Sequence, residues 1–534
     1  MRGESITANA AYGDRFEQAL LVDPHTGECV DQSNGCVPFN PFGLAIPDDA
    51  LAFLRTGDIS ETYALDEDIV NVAITGDVME LPAGPLGFAV GLEWRELSSS
   101  FEPDPNFVDE NALGFTASSP VSGSLDVAEI FVEALVPVLA GMDFADYLGI
   151  EAGYRYSDYR FSGVADNWKA GVDWSPVPAV RFRAMAQRAI RAPNIDELFR
   201  QPVVQPTALF DATVDQCTAS EDPVGNGLSD LCVAQGIPPD QVGVFEAQES
   251  FPLIVIENGG NTDLEPETAD TVTAGVIFQP DFLPGFALSI DYYEIEIDNA
   301  VGSTPLEGAL GLCFDSRDAQ SQFCRPVVRA SSGDIAEYTN PQFNLATLRV
   351  EGVDVALNYN FDLGSAFALP GADASLALQV LGNHAIENSV QATPTSTPID
   401  CAGYYAGGCK FGVDLSQIVP EYRASTRLTY YSGPLTLALH WQWIGELATH
   451  LDVTCQETPQ FCYPSELDDI DSRNYFELSG RFDFGEHGEI YGGISNLTEE
   501  KPPLMGFGQI QSNTAPALYD VFGRRYFLGF RYRM

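Results

Sequence analysis

The chain has 534 residues with 77 acidic against 26 basic, a net charge of −51, which argues against nucleic-acid binding, where lysine and arginine must neutralise phosphates. Hydrophobic residues make up 45% and aromatics 11%, enough for an ordered protein, yet no stretch approaches the roughly 18 to 20 uninterrupted apolar residues of a transmembrane helix. Acidity of this degree keeps a surface solvated; attraction of cationic or metal-complexed solutes into a negative vestibule is the alternative.

The opening "MRGESITANAAYGDRF" has no apolar segment behind a basic start, so it is neither a secretory signal nor an anchor. From there on, residues of alternating polarity predict strands near 15–22, 69–78, 85–97, 127–138, 146–161, 167–174, 179–190, 270–279, 286–298, 344–362, 373–388, 422–431, 435–448, 474–484, 489–496 and 524–534. In "YLGIEAGYRY" Leu148, Ile150, Ala152, Tyr154 and Tyr156 oppose Glu151 and Arg155, and in "VRFRAMAQ" Val180, Phe182, Ala184 and Ala186 oppose Arg181, Arg183 and Gln187. "GVDVALNYNF", "LTLALHWQW" and "YFELSGRFDF" repeat the split, and the chain ends on "GRRYFLGFRYRM", where Tyr526, Leu528, Phe530, Tyr532 and Met534 share one face against Arg525, Arg531 and Arg533. Strands of about ten residues, with an apolar row ending in aromatics and a charged second row, fit a wall between lipid and a watery lumen better than a soluble sandwich. The links agree: short ones such as 175–178, 432–434 and 485–488 alternate with long ones such as 191–269, 299–343 and 389–421, the link at 162–166 being the exception. The expected fold is all-β, a transmembrane antiparallel β-barrel of about sixteen strands, with short turns on the periplasmic side and long loops outside. Its edges must close on each other or be completed by further strands, because lipid satisfies no backbone group.

Ten cysteines fall into five isolated neighbours, Cys29 with Cys36, Cys217 with Cys232, Cys313 with Cys324, Cys401 with Cys409 and Cys455 with Cys462, all in long links. No CxxC or histidine-containing metal spacing occurs among them, so they are expected to be local disulfide clips of an exported protein. An exported chain without an export signal is expected to be a fragment.

Four motifs in order carry a resemblance. "RAIRAPNIDELF" at 188–199, with Arg191, Ala192, Pro193, Glu197, Leu198 and Phe199, leaves a strand for the longest link; "GGNTDLEPETADTVTAG" at 259–275, with Asn261, Leu264, Pro266 and Glu267, leaves that link for the next strand. "ISNLTEEKPP" at 494–503, with Asn496 and Leu497, and the terminal strand complete the set. Together they resemble the TonB-dependent receptors of Gram-negative outer membranes. On physical grounds these residues are structural: Pro193 ends pairing, Asn194 with Glu197 fits a capping box, and Pro266 among acids makes a polar re-entry.

The resemblance implies active import of a scarce solute such as a ferric siderophore, cobalamin or an oligosaccharide. It also implies a signal peptide, a TonB-binding segment, a plug domain and twenty-two strands, so residues 1–534 are expected to be a partial barrel domain lacking the plug and first strands. Implied partners are outer-membrane lipid, the TonB complex through the missing N-terminal region, the solute, and a barrel-assembly machinery that reads the aromatic terminal strand, which here closes on Met534 where phenylalanine is usual. The expected state is a monomer. The five histidines sit at no metal-ligand spacing, and no GxSxG, HExxH or P-loop pattern occurs, so no catalytic residue, metal ligand or cofactor is assigned. The rivals are a passive sixteen-stranded porin-like channel and a secreted adhesin of soluble sandwiches. Non-reducing peptide mapping is expected to return links within single loops; links between different loops would refute the local clips.

Overall fold

Alternation of side chains between two environments produces sixteen long antiparallel strands, paired in sequence order in a computed structural model. The structure describes all residues except 44–45, 116–117, 209–214, 248–252, 304–305, 392, 395–396, 406–417, 450–468, 486, 506–513 and 533–534. The strands are β1 (Arg2–Ala11), β2 (Arg55–Leu81), β3 (Gly84–Glu102), β4 (Val121–Met142), β5 (Ala145–Tyr159), β6 (Gly163–Val177), β7 (Val180–Arg191), β8 (Glu267–Phe278), β9 (Phe286–Gly302), β10 (Phe343–Gly364), β11 (Ala374–Gln391), β12 (Tyr422–Ser432), β13 (Leu435–Ile444), β14 (Arg473–Phe484), β15 (Gly488–Ser495) and β16 (Arg525–Tyr532). A short seventeenth strand, Ile399–Asp400, pairs with the end of β11. Among the described residues β1 and β16 do not pair with each other, so the sheet is open along one seam.

Two expectations are corrected. Residues 15–22 are not a strand: Gly13–Leu20 is a helix, because Phe16 and Ala19 stand three apart and pack on Phe39, Ala50 and Phe53, a helical spacing rather than a period of two. The first strand is instead Arg2–Ala11, a Ser/Thr/Ala-rich segment whose register with β2 shifts beside Asn9 at φ 59°. The strand expected at 69–78 runs from Arg55 to Leu81, since the ladder with β3 continues past the apolar stretch through acidic residues such as Asp66, Glu67 and Asp68. Backbone pairing needs no apolar side chain once the strand has left lipid.

Short links at 82–83, 143–144, 178–179 and 433–434 lie at one end of the sheet, and long links at the other, with 160–162 the short exception. The apolar rows face outward: Val72 and Ile74 are each 63% exposed, and Leu92, Ile130 and Val132 are likewise uncovered by protein. No described helix is long and apolar enough to cross a membrane. The inner rows are polar or small, and a Cβ added at inward Gly352 would stand 2.4 Å from Tyr293 Oη, whose ring lies over it.

Adjacent residues of one strand therefore meet opposite solvents. Leu357→Lys, on the outward row of β10, is expected to cost about 2 to 4 kcal/mol, while Asn358→Lys beside it, facing the lumen, costs under about 0.5 kcal/mol. Urea unfolding in lipid vesicles reads the difference; equal costs would contradict the assignment of faces.

Candidate functional site

Where the chain leaves β7 for the longest link and returns to β8, Arg191 and Glu267 stand opposite each other. Arg191 Nε and Nη2 each donate to the Glu267 carboxylate at 2.5 Å, and Nη1 donates to Glu197 Oε2 at 3.0 Å. Glu267 Oε1 also accepts the Val301 N–H at 2.7 Å, tying in the end of β9. Buried Pro193, following Ala192, ends the strand ladder, and Asn194 opens the helical turn Ile195–Phe199 with a reciprocal capping box: its Oδ1 accepts from Glu197 N–H at 2.9 Å, and Glu197 Oε2 accepts from Asn194 N–H at 2.8 Å. Leu198, Leu264 and Val301 are buried together, with Leu125 and Phe199 against them.

Gly260 passes so close to this turn that an added Cβ would lie 2.6 Å from the Leu198 carbonyl carbon. Its neighbour Asn261 donates its N–H to Glu197 O at 2.8 Å and its side-chain Nδ2 to Gln342 O at 2.9 Å, and Pro266 is half-buried one step before β8. The two motif blocks thus clasp each other at the rim, with their polar groups turned to one another.

Above the clasp, links 192–266 and 303–342 share one apolar core that includes Leu231, Ile237, Phe245, Leu310, Phe314 and Tyr338. Disulfides Cys217–Cys232 and Cys313–Cys324 lie inside it, fully buried, and a four-stranded sheet joins segments of both links. Arg329, with its side chain 0% exposed, forks onto Asp215 at 2.5 and 2.8 Å and also donates to Gly333 O at 2.9 Å. No local signal pairs residues 114 apart in sequence, and this ion pair was not visible there. Cys29–Cys36 closes a separate loop; Cys401 is disulfide-bonded; Cys409, Cys455 and Cys462 lie outside the described residues.

Below the rim, the inner wall carries mixed charge. Glu129 is buried and accepts from Ser157 Oγ at 2.6 Å and Arg155 Nη1 at 3.1 Å. Lys169 reaches Glu133 and Glu151 at 3.5 and 3.9 Å, Arg181 pairs with Asp173, and Arg183 with Asp291 at 2.8 Å. A recess of about 620 Å³ opens among Glu151, Arg183, Gln187, Thr271, Asp291 and Tyr293. Such a wall presents hydrogen-bond donors and acceptors to the lumen.

At the last strands, Asn496 takes φ 51° and anchors the turn, donating Nδ2 to Glu500 O at 2.8 Å and Asp520 Oδ2 at 3.2 Å and accepting Glu500 N–H at 2.8 Å. The Leu497 N–H donates to Phe476 O at 2.7 Å. Tyr526, Leu528, Phe530 and Tyr532 form an outward row of β16, each more than 60% exposed, and Met534 lies outside the described residues. Among the described residues no group of His, Cys, Asp and Glu is placed to hold a metal ion.

Lipid-facing aromatic rows, a charged inner wall, short turns at one end and folded loops at the other define a receptor-type barrel of outer membranes. A family model described as TonB dependent receptor-like, beta-barrel matches residues 31–497, and the chain belongs to that family. No curated protein matches it. Among solved structures it is similar to the ferric enterobactin receptor PfeA of Pseudomonas aeruginosa, with a TM-score of 0.57 for one mutant at 15% identity over all of this chain and 58% of that one. The siderophore receptor PirA of Acinetobacter baumannii gives 0.53 at 13% identity, over 99% of this chain and 59% of that one. These likenesses concern the fold, and the chain spans less than two thirds of the length of these relatives.

Arg329→Ala is expected to destabilise the loop cap by about 3 to 5 kcal/mol, because it leaves Asp215 charged and buried without a partner. Limited proteolysis should then cut within 192–266 and 303–342 while the barrel stays intact. Arg329→Met combined with Asp215→Leu should restore most of the protection; a cap equally resistant in Arg329→Ala would contradict the role of the pair.

Proposed function

We propose that the chain is the barrel portion of a Gram-negative outer-membrane receptor that imports a scarce solute, of the class of a ferric siderophore, cobalamin or an oligosaccharide, with energy delivered through TonB. The observation that carries this reading is the loop cap. Two long external links share one core, fixed to the rim by the Arg191–Glu267–Glu197 clasp, above a polar inner wall. A folded external module over a lumen serves capture, and a simple pore needs none. The named functions of the similar structures, a ferric enterobactin receptor and a siderophore receptor, support it.

The passive sixteen-stranded channel is disfavoured by the open seam, since two unpaired strand edges have no place in lipid. Strands completing the ring, a plug in the lumen and a TonB-binding segment belong, in this proposal, to a longer protein, inserted as a monomer by the assembly machinery that reads β16.

Native outer membranes of the source cell should contain this barrel in a product longer than 534 residues. Solute uptake should be lost when TonB is removed. A mature barrel of this length that conducts ions in planar bilayers, with TonB-independent uptake, would establish the passive channel instead.

A further inference from the structure

The excess negative charge weighs heavily on the loop cap. Links 192–266 and 303–342 together hold 18 aspartates and glutamates against 4 arginines and no lysine. The first link alone has 13 against a single arginine, Arg200. Few of these carboxylates are neutralised. Arg329 is taken up by buried Asp215, Arg200 pairs with Asp196 on its own turn, and Arg191, from the end of β7, takes Glu197. Arg317 donates to backbone oxygens instead, Asn226 O at 3.2 Å and Gly227 O at 3.3 Å. Glu221, Asp240, Glu246 and Asp315 are exposed, and their carboxylates enter no hydrogen bond or ion pair among the described residues.

No disulfide joins the two links. Cys217–Cys232 closes within the first and Cys313–Cys324 within the second. The links meet through their shared apolar core, through Ile335–Pro341 running parallel to Leu253–Gly259, through the Arg329–Asp215 pair, and through a bond from Gln235 Nε2 to Cys324 O at 3.3 Å. The first link can therefore come away from the second with no covalent bond broken, and its charges spread apart as it does.

Closure thus works against like-charge repulsion, which favours the more expanded arrangement. A folded unit of about a hundred residues has a radius of gyration of roughly 13 Å. In about 0.01 M salt the Debye length is roughly 30 Å, so each cap carboxylate feels the others; in about 1 M salt it is roughly 3 Å, and almost none does. In a chain of balanced charge, salt screens attractions as fast as repulsions. Here the attractions are few, and the central one, Arg329–Asp215, is buried and hardly screened.

We infer that the loop cap is a salt-dependent closure: it is packed in a saline medium and opens as ionic strength falls, by release of link 192–266 from link 303–342. Screening needs no bound ion, so any monovalent cation serves. The inference goes beyond the receptor reading and does not rest on it, because it concerns the cap alone.

The test is limited proteolysis of the native receptor, extracted from outer membranes in detergent, in sodium chloride from about 0.01 M to about 1 M. Cleavage within 192–266 and 303–342 should slow by about 10-fold or more over that range, after correction for the protease's own salt response on an unfolded substrate. Potassium chloride should act equally. The quadruple variant Glu221→Gln, Asp240→Asn, Glu246→Gln, Asp315→Asn should resist cleavage better than wild type at low salt and match it at high salt. Cleavage indifferent to salt, or a requirement for one particular cation, overturns the inference. So does a variant with the same salt slope as wild type, because the effect is then salting-out of the apolar core, which ignores surface charge.

Discussion

Every backbone N–H and C=O at membrane depth must find a partner in the protein, because hydrocarbon offers none. That constraint generates the rest of the structure. Long ladders between successive strands satisfy it, and the ladders force side chains alternately onto two faces, one wetted by lipid and one by the lumen. The residues of β10 show the result in one element: Val355, Leu357 and Tyr359 look outward while Asp354, Asn358 and Asn360 look in. Among the described residues the ladder runs unbroken from β1 to β16, and these two strands do not pair with each other.

Outside the membrane the chain is released from that rule and builds in another way. The loop cap folds as a small soluble domain would, with a buried core, two disulfides inside it and a desolvated Arg329–Asp215 pair at its centre. A buried ion pair contributes little net stability over apolar residues, but it penalises arrangements that separate the two links. The rim clasp of Arg191 with Glu197 and Glu267 then fixes where the cap sits, and Gly260 lets the returning chain run against the turn at Leu198. Folded loops over a polar wall are the feature on which the proposed capture of a solute rests.

Much of this was legible in the sequence because period-two alternation is a local property. It located nearly all the barrel strands and the side of the long links, and short-range spacing of another kind gave the capping box at Asn194 and Glu197 and cysteine neighbours such as Cys217 with Cys232. It failed at both kinds of exception. Gly13–Leu20 has apolar residues spaced for a helix packed on its own loop, and Arg2–Ala11 is a strand without apolar alternation, which only its partner β2 makes one. The unassisted sequence therefore determined the solvent of each face and the family motifs. Tertiary structure alone decided that Arg329 meets Asp215 and that two distant links share one core, because each brings together residues whose separation along the chain carries no periodic signal.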